Sequence, residues 1–424
     1  MDSTDLDDIS RQLHDLVEEN RRIHDIESIN LDPATNVMNP QAEALLSSGL
    51  GSRPSLGRPG SKYETGLEAI EQIELLADDL ARRVFCAEHV ELRTASGALA
   101  NVYAFMATCK PGDNVIVPPA TIGGHVTHHI NGAAGLLGLE IHEAPIDADE
   151  MTVDVEQTRV LAESIQPALI TIGGSLNLRQ HPIAELAEIA HAVGGRLLVD
   201  AAHMSGLFAG GYWPSPLAEG ADLLTMSTYK SLGGPPAGIV CTNDGDLAER
   251  LDAIAHPGLT ANFDVAKTAA LAVTLLDWLD VGDAYARSMV EAAQALALTL
   301  ADADVGVITA GGKFTDSHHV AIDARPFGGG QTIAAYLRRA NLLTCGIGLP
   351  FNNVNGDVPG LRLGTPEIVR WGMGVDDAKE VGSLIARAIH ESPESVAADV
   401  TAFRSSFNKI HFVRGGPVAP LPVR

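Results

Sequence analysis

RLLVDAAHMSGL (196–207) and LLTMSTYKSLGGPPAG (223–238) decide the fold. Each starts as a short apolar run and breaks into small and polar residues just where a strand would end. Runs of this length predict strands buried on both faces. Working outward, NVIV (114–117), ALITI (168–172) and GIVC (238–241) repeat the pattern, with helical periodicity between them, as in IAELAEIAHAV (183–193). Strands alternating with helices through right-handed crossovers predict an α/β fold, its mainly parallel sheet covered on both faces. Such sheets gather ligands at the carboxyl ends of their strands, where Asp200 and Lys230 fall.

The flanks extend this plan. Ile9, Leu13, Leu16 and Val17 recur at helical spacing among charges, which predicts an amphipathic arm over residues 1–30. GLEAIEQIELLADDLARRVF (66–85) has acids early and arginines late, as a helix dipole favours. An alanine- and leucine-rich helix over 264–302 links a large domain, 31–285, to a smaller C-terminal α/β domain, 286–424. In the latter, VGVIT, HHVAIDA, LLTCGIG and GLRLGT suggest strands, and 331–340 and 375–391 suggest helices.

Composition excludes several functions. With 29 basic and 54 acidic residues the net charge is −25, which repels phosphate backbones and anionic membranes. No apolar run approaches the roughly 20 residues of a membrane span, and MDSTDLDDIS is acidic where a secretory signal is basic. A cytoplasmic protein with no nucleic-acid or membrane partner is expected. Cys86, Cys109, Cys241 and Cys345 lack CxxC spacing, so neither zinc nor a disulfide framework is indicated. No metal is expected at His125, His128 and His129 either: adjacent histidines on a strand point oppositely, and no carboxylate or cysteine accompanies them at ligand spacing.

The chemistry lies after the strands. Asp200 ends a buried strand, where an ionised carboxylate is costly unless a cation faces it. A pyridinium nitrogen is such a cation. Lys230, one of seven lysines, follows Thr225, Ser227 and Thr228, hydroxyls suited to phosphate or phenolate, and precedes Gly233, Gly234 and Pro235. A desolvated lysine forms Schiff bases readily. Together the two segments point to pyridoxal 5'-phosphate, held covalently on Lys230, with Asp200 keeping the ring an electron sink. Ser96 and Gly97 open a helix whose free amides suit a phosphate. His125 is a candidate to stack on the ring, and His203 to stack or hydrogen-bond near it. Arg362 or Arg370 could clamp a substrate carboxylate.

With these residues in view, the chain resembles the serine hydroxymethyltransferase family of fold-type I pyridoxal-phosphate enzymes, from about residue 30 to 392. VDAAHMSGLFAGGYWPSP (199–216), TYKSLGGPPAG (228–238), ASGALAN (95–101), GGHVTHH (123–129) and LRLGTPEIVRWG (361–372) carry the resemblance, in the family's order. It implies a large domain with a seven-stranded sheet and a smaller C-terminal domain. By it Lys230 carries the cofactor, Asp200 faces the pyridine nitrogen, His203 the phenolic oxygen, and His125 stacks. Ser96 and Gly97 hold phosphate, and Ser175 touches the cofactor. Arg362 binds the carboxylate of a small amino acid. The resemblance further implies a homodimer or homotetramer with shared active sites, Gly258 of HPGLT (256–260) reaching a neighbour's phosphate.

One segment departs from the family. Where the family reads KYAEGYPGKRYYGG, residues 53–66 read RPSLGRPGSKYETG, so Pro54 replaces a tyrosine and Leu56 the folate-site glutamate. Glu64 replaces a second tyrosine, while Tyr63 persists, and Tyr229 stands before the lysine in place of histidine. Leucine transfers no proton, so tetrahydrofolate chemistry is not expected. The expected activity is folate-independent cleavage or formation of the Cα–Cβ bond of a β-hydroxy amino acid, an aldolase or transaldolase reaction. Its hydroxyl base is left open among Glu64, Glu68, His125 and His128, with Tyr63 a substrate contact. Transamination, racemisation and folate-dependent hydroxymethyl transfer are the alternatives.

Overall fold

The computed structural model describes residues 3–352 and 354–422; the first two residues of the expected arm and the last two of the C-terminal domain lie outside the described residues. Seven strands form the main sheet: β1 (His89–Glu91), β2 (Asn114–Val117), β3 (Glu140–Glu143), β4 (Leu169–Gly173), β5 (Arg196–Asp200), β6 (Leu223–Ser227) and β7 (Gly238–Thr242). Their spatial order is β1-β7-β6-β5-β4-β2-β3. Pairing is parallel from β3 through β6, and β7 runs antiparallel to both its neighbours. Along β5, Leu197 and Val199 pack into one core layer and Leu198 into the other, and all three are buried. Burial on both faces is why these strands read as unbroken apolar runs.

Helices α1 (Ser3–Arg21), α2 (Glu68–Phe85), α3 (Gly97–Thr108), α4 (Ile183–Ala192), α5 (Val265–Asp302), α6 (Gly330–Arg338), α7 (Val375–His390) and α8 (Pro393–Ser405) surround the strands. In α2, Glu68 and Glu71 occupy the first turn and Arg82 and Arg83 the last, while Ile70, Ala77, Leu80, Ala81 and Val84 are buried. That charge order complements the helix dipole. The boundary expected at 285/286 falls inside α5, which packs on both α2 and α7. On α1 the apolar positions Ile9, Leu13, Leu16 and Val17 are each more than half exposed. No described helix is long and apolar enough to cross a membrane.

Beyond α5, β8 (His319–Asp323), β9 (Cys345–Ile347) and β10 (Gly360–Gly364) form an antiparallel sheet ordered β8-β10-β9. Register places both Ala321 and Cys345 opposite Arg362, so these three side chains share a face, with His319 two residues along. VGVIT forms no strand and contributes only an isolated bridge, Val307 to Ile322. The short strand Ile29–Asn30 pairs in parallel with Leu342–Leu343. This two-stranded pairing, with the Gly364 amide of β10 donating to the Leu31 carbonyl at 2.8 Å, ties the segment after the arm to the small domain and brings residues 32–36, buried or half-buried, beside β9 and β10.

Candidate active site

The carboxyl ends of β4, β5 and β6 and the start of α3 surround a cavity of about 90 Å³. Its walls include Ser96, Gly97, Asn101, His125, Ser175, Asp200, His203, Ser227 and Lys230. Two glycines allow the walls to close. A Cβ on Gly97 would lie 2.2 Å from Oγ of Ser227, and one on Gly173, at φ 95°, would lie 2.2 Å from the carbonyl of Asp200. Backbone approach this tight needs glycine. A larger cavity of about 320 Å³ opens beside α2 and β1. Its charges are spent on one another: Arg58 pairs with Asp252, Arg82 with Asp78 and Arg93 with Glu91.

Asp200 is 2 % exposed. Its Oδ2 accepts from Nε2 of His128 at 2.9 Å and from Nδ2 of Asn101 at 2.9 Å, and its Oδ1 accepts from the Ala202 amide at 3.0 Å. Burial alone would favour the neutral acid, but the bond from His128 and the bond from Asn101 outweigh it and hold the carboxyl well below the usual range. Helix α3 builds this cage. Asn101 and Phe105, four residues apart, share one face, and Phe105 meets the His128 ring edge-on at 5.5 Å. Asn101 Oδ1 accepts from Thr225 Oγ1 at 2.6 Å, which fixes the amide's orientation.

Lys230 is 7 % exposed, with Nζ 3.1 Å from Nε2 of His203. Burial pushes its ammonium down to about 8; Asp200 opposes that shift and Arg362 adds to it. Burial, then the charges of Lys230 and Arg362, hold His203 neutral. Behind the lysine, Asn36 Nδ2 donates to the Lys230 carbonyl at 3.0 Å. Ser96 caps α3, its Oγ accepting from the Leu99 amide at 3.2 Å, so it is at once an N-cap and part of the cavity wall. Arg362 is 6 % exposed, with Nη1 donating to the Ser175 carbonyl and lying 3.4 Å from Nε2 of His203.

Several sequence expectations change. Arg370 is fully buried elsewhere, 3.4 Å from Asp277 and over the Tyr285 ring, so of the two arginines only Arg362 reaches the site. Thr225 and Thr228 do not offer their hydroxyls to a ligand. The first is bound to Asn101, and the second donates to the Pro235 carbonyl and accepts from the Ala237 amide. Residues 126–128 form a 3-10 turn rather than a strand, and that turn aims His128 at Asp200 and removes it as a free base. Among the described residues Glu64 hydrogen-bonds within its own segment, its Oε2 accepting from the Leu56 amide at 3.2 Å. Tyr63 is 82 % exposed, and Gly258 is exposed in the turn before α5. None of these three lines the cavity.

Asn36, Asn101 and His128 are site residues whose roles the sequence reading missed. Asn101 had a signal: it is a polar residue in the otherwise apolar helix GALANVYAFMAT. The set fits pyridoxal phosphate. An ionised, caged carboxylate faces one side of the cavity, a helix N-terminus with a hydroxyl another, and a low-pKa amine a third.

Comparison with known proteins agrees with that fit. The family model "Serine hydroxymethyltransferase" matches residues 6–385. An α-methylserine aldolase of Variovorax paradoxus is 56% identical over 405 residues, covering 96% of this chain and 92% of its own. One of a Ralstonia species is 53% identical over 410 residues, covering 96% and 94%. A serine hydroxymethyltransferase of Methanopyrus kandleri is 37% identical over 387 residues, covering 90% of each. The chain belongs to the serine hydroxymethyltransferase family and is a pyridoxal-phosphate-dependent enzyme.

Proposed function

We propose that this enzyme cleaves and forms the Cα–Cβ bond of small β-hydroxy amino acids without folate, α-methylserine being the leading substrate. The observation that carries this reading is the cavity lined by caged Asp200 and by Lys230, with Arg362 behind its His203 and Ser175 walls, in a chain with Leu56 where the family has its folate-site glutamate. Relatives at 53–56% identity bear the name α-methylserine aldolase, whereas relatives named serine hydroxymethyltransferase stand at 35–37%. When bound, pyridoxal phosphate withdraws electrons from the substrate's α-carbon and weakens its bonds.

The chain's own residues do the rest. Lys230 would hold the cofactor covalently, and its low-pKa amine is the group that would move a proton at the substrate's α-carbon. Asp200, kept ionised by His128 and Asn101, would supply the negative charge that a pyridinium nitrogen needs. Ser96, Gly97 and Ser227 would hold the phosphate, and His125, His203 and Ser175 would hold the ring. Arg362 orients the substrate carboxylate. The bond between Cα and the hydroxymethyl carbon breaks as the hydroxyl gives up its proton. That carbon leaves as formaldehyde, and a proton added at Cα yields alanine from α-methylserine.

The family's enzymes are oligomeric. We take the exposed Tyr63 and Gly258 and the half-buried Glu64 to serve a neighbouring subunit's site in a cytoplasmic homodimer or homotetramer, with Glu64 the candidate base for the hydroxyl proton. The test is to incubate purified enzyme with α-methylserine, with and without tetrahydrofolate, and measure formaldehyde and alanine. Equal release under both conditions is expected. A strict folate requirement, or ketoacid in place of formaldehyde, would overturn the reading.

A further inference from the structure

The guanidinium of Arg362 is already engaged by its own chain along the edge a carboxylate needs. Nε and Nη2, the side-on pair that suits bidentate binding, both donate to Sγ of Cys345, at 3.3 and 3.1 Å. The thiol donates in turn to Oδ1 of Asp32 at 3.4 Å, and that oxygen lies 3.6 Å from Nη2. Burial pushes the thiol up to about 11, so Cys345 is a neutral, weak acceptor. Backbone register delivers both groups together. Cys345 lies directly opposite Arg362 across the β9–β10 pair, and Asp32 follows the strand Ile29–Asn30, whose partner Leu342–Leu343 leads into Cys345. Asp32 is held in place by accepting from the Ala34 amide at 3.0 Å.

We propose that Cys345 and Asp32 form an internal competitor for the substrate carboxylate at Arg362, and so set the affinity and selectivity of the site for α-amino acids. This rests on the reading of Arg362 as the carboxylate clamp. A carboxylate forms charge-assisted bonds with both edge donors and displaces the thiol, whereas an amide or alcohol at that position cannot. Asp32 both holds the thiol in place and repels the arriving charge, so it weakens the binding of any carboxylate at Arg362; selection against weaker acceptors comes from the thiol they would have to displace.

The proposal is tested with Cys345→Ala and Asp32→Asn, the second keeping the side-chain oxygen that accepts from Ala34. For each, the KM for α-methylserine and the competitive inhibition constant of propionate, a carboxylate without an amine, are measured. Both constants are expected to fall about three- to ten-fold, the scale of one lost competing hydrogen bond, with a smaller change in kcat. Unchanged or raised constants in both variants overturn the proposal. Arg362→Lys separates the two layers of argument. If it leaves both constants unchanged, the carboxylate-clamp reading and the proposal fall together; if it raises them while Cys345→Ala and Asp32→Asn change nothing, only the proposal falls.

Discussion

The wall around Asp200 and the Tyr63–Glu64 tip of segment 53–66 are opposites in construction. Asp200, His128, Asn101 and Thr225 are all buried and bonded to one another, and one chain completes the set. In 53–66, Ser55 and Lys62 anchor the segment on Glu74, but Tyr63 lies 82 % exposed and Glu64, among the described residues, bonds to its own loop. The first region is assembled by folding. The Tyr63–Glu64 tip of the second lies outside the cavity of its own chain. In the first, loss of one member strands its partners in a dry site; at the tip, loss of Tyr63 or Glu64 leaves the anchoring contacts of the segment in place.

The largest expected effect tests the first region. Asp200→Ala leaves the buried donors of His128 and Asn101 without their acceptor, and a buried donor left unsatisfied costs about 1–3 kcal/mol. The denaturant midpoint of the cofactor-free protein should fall accordingly, and Glu64→Gln should leave it unmoved. Equal midpoints for the two variants would erase the contrast.

Glu64→Gln tests the second region by activity instead. A loss of about 100-fold in kcat is expected if Glu64 is a base in a neighbour's site. Mixed oligomers of Glu64→Gln with Lys230→Ala should then recover activity, since one of their sites has both groups intact. A mixture as inactive as its parents would place Glu64 outside any shared site.

The mildest effect is on pH. Lys230 attacks a carbonyl only as the free amine, and with its pKa lowered to about 8 that fraction grows as pH rises through this value. The rate at which cofactor-free protein takes up pyridoxal phosphate should rise with pH, reach half its plateau near pH 8 and flatten above. A midpoint near the ordinary lysine value of about 10.4 would show that the amine is not desolvated as the cavity implies.

Much of the fold was legible because strands buried on both faces carry their signature locally. NVIV and RLLVD were placed to the residue, and α2 and α5 to within two. Edge strands were not. HVE in β1 and EIHE in β3 carry polar residues that an edge tolerates, and they look like loops to any reading by hydrophobic runs. VGVIT erred the other way: it is apolar because it packs on the core, yet it has no ladder partner beyond one bridge. Helix α8 went unseen, its apolar positions too sparse to set a period.

By itself the sequence determined the chemistry available: an aspartate and a lysine at strand ends, a hydroxyl and glycine opening a helix, and a leucine where a folate-handling carboxylate would stand. Those are properties of residue type and of short-range pattern. Only the tertiary structure decided which groups meet. It turned His128 from a free base into the partner of Asp200, sent Arg370 into the core, and set Asp32 and Cys345 against Arg362. All but the Cys345–Arg362 contact, which spans two neighbouring strands, join segments far apart in the chain. Hydrogen bonds and ion pairs act over a few ångströms of space, and separation along the sequence does not reveal it.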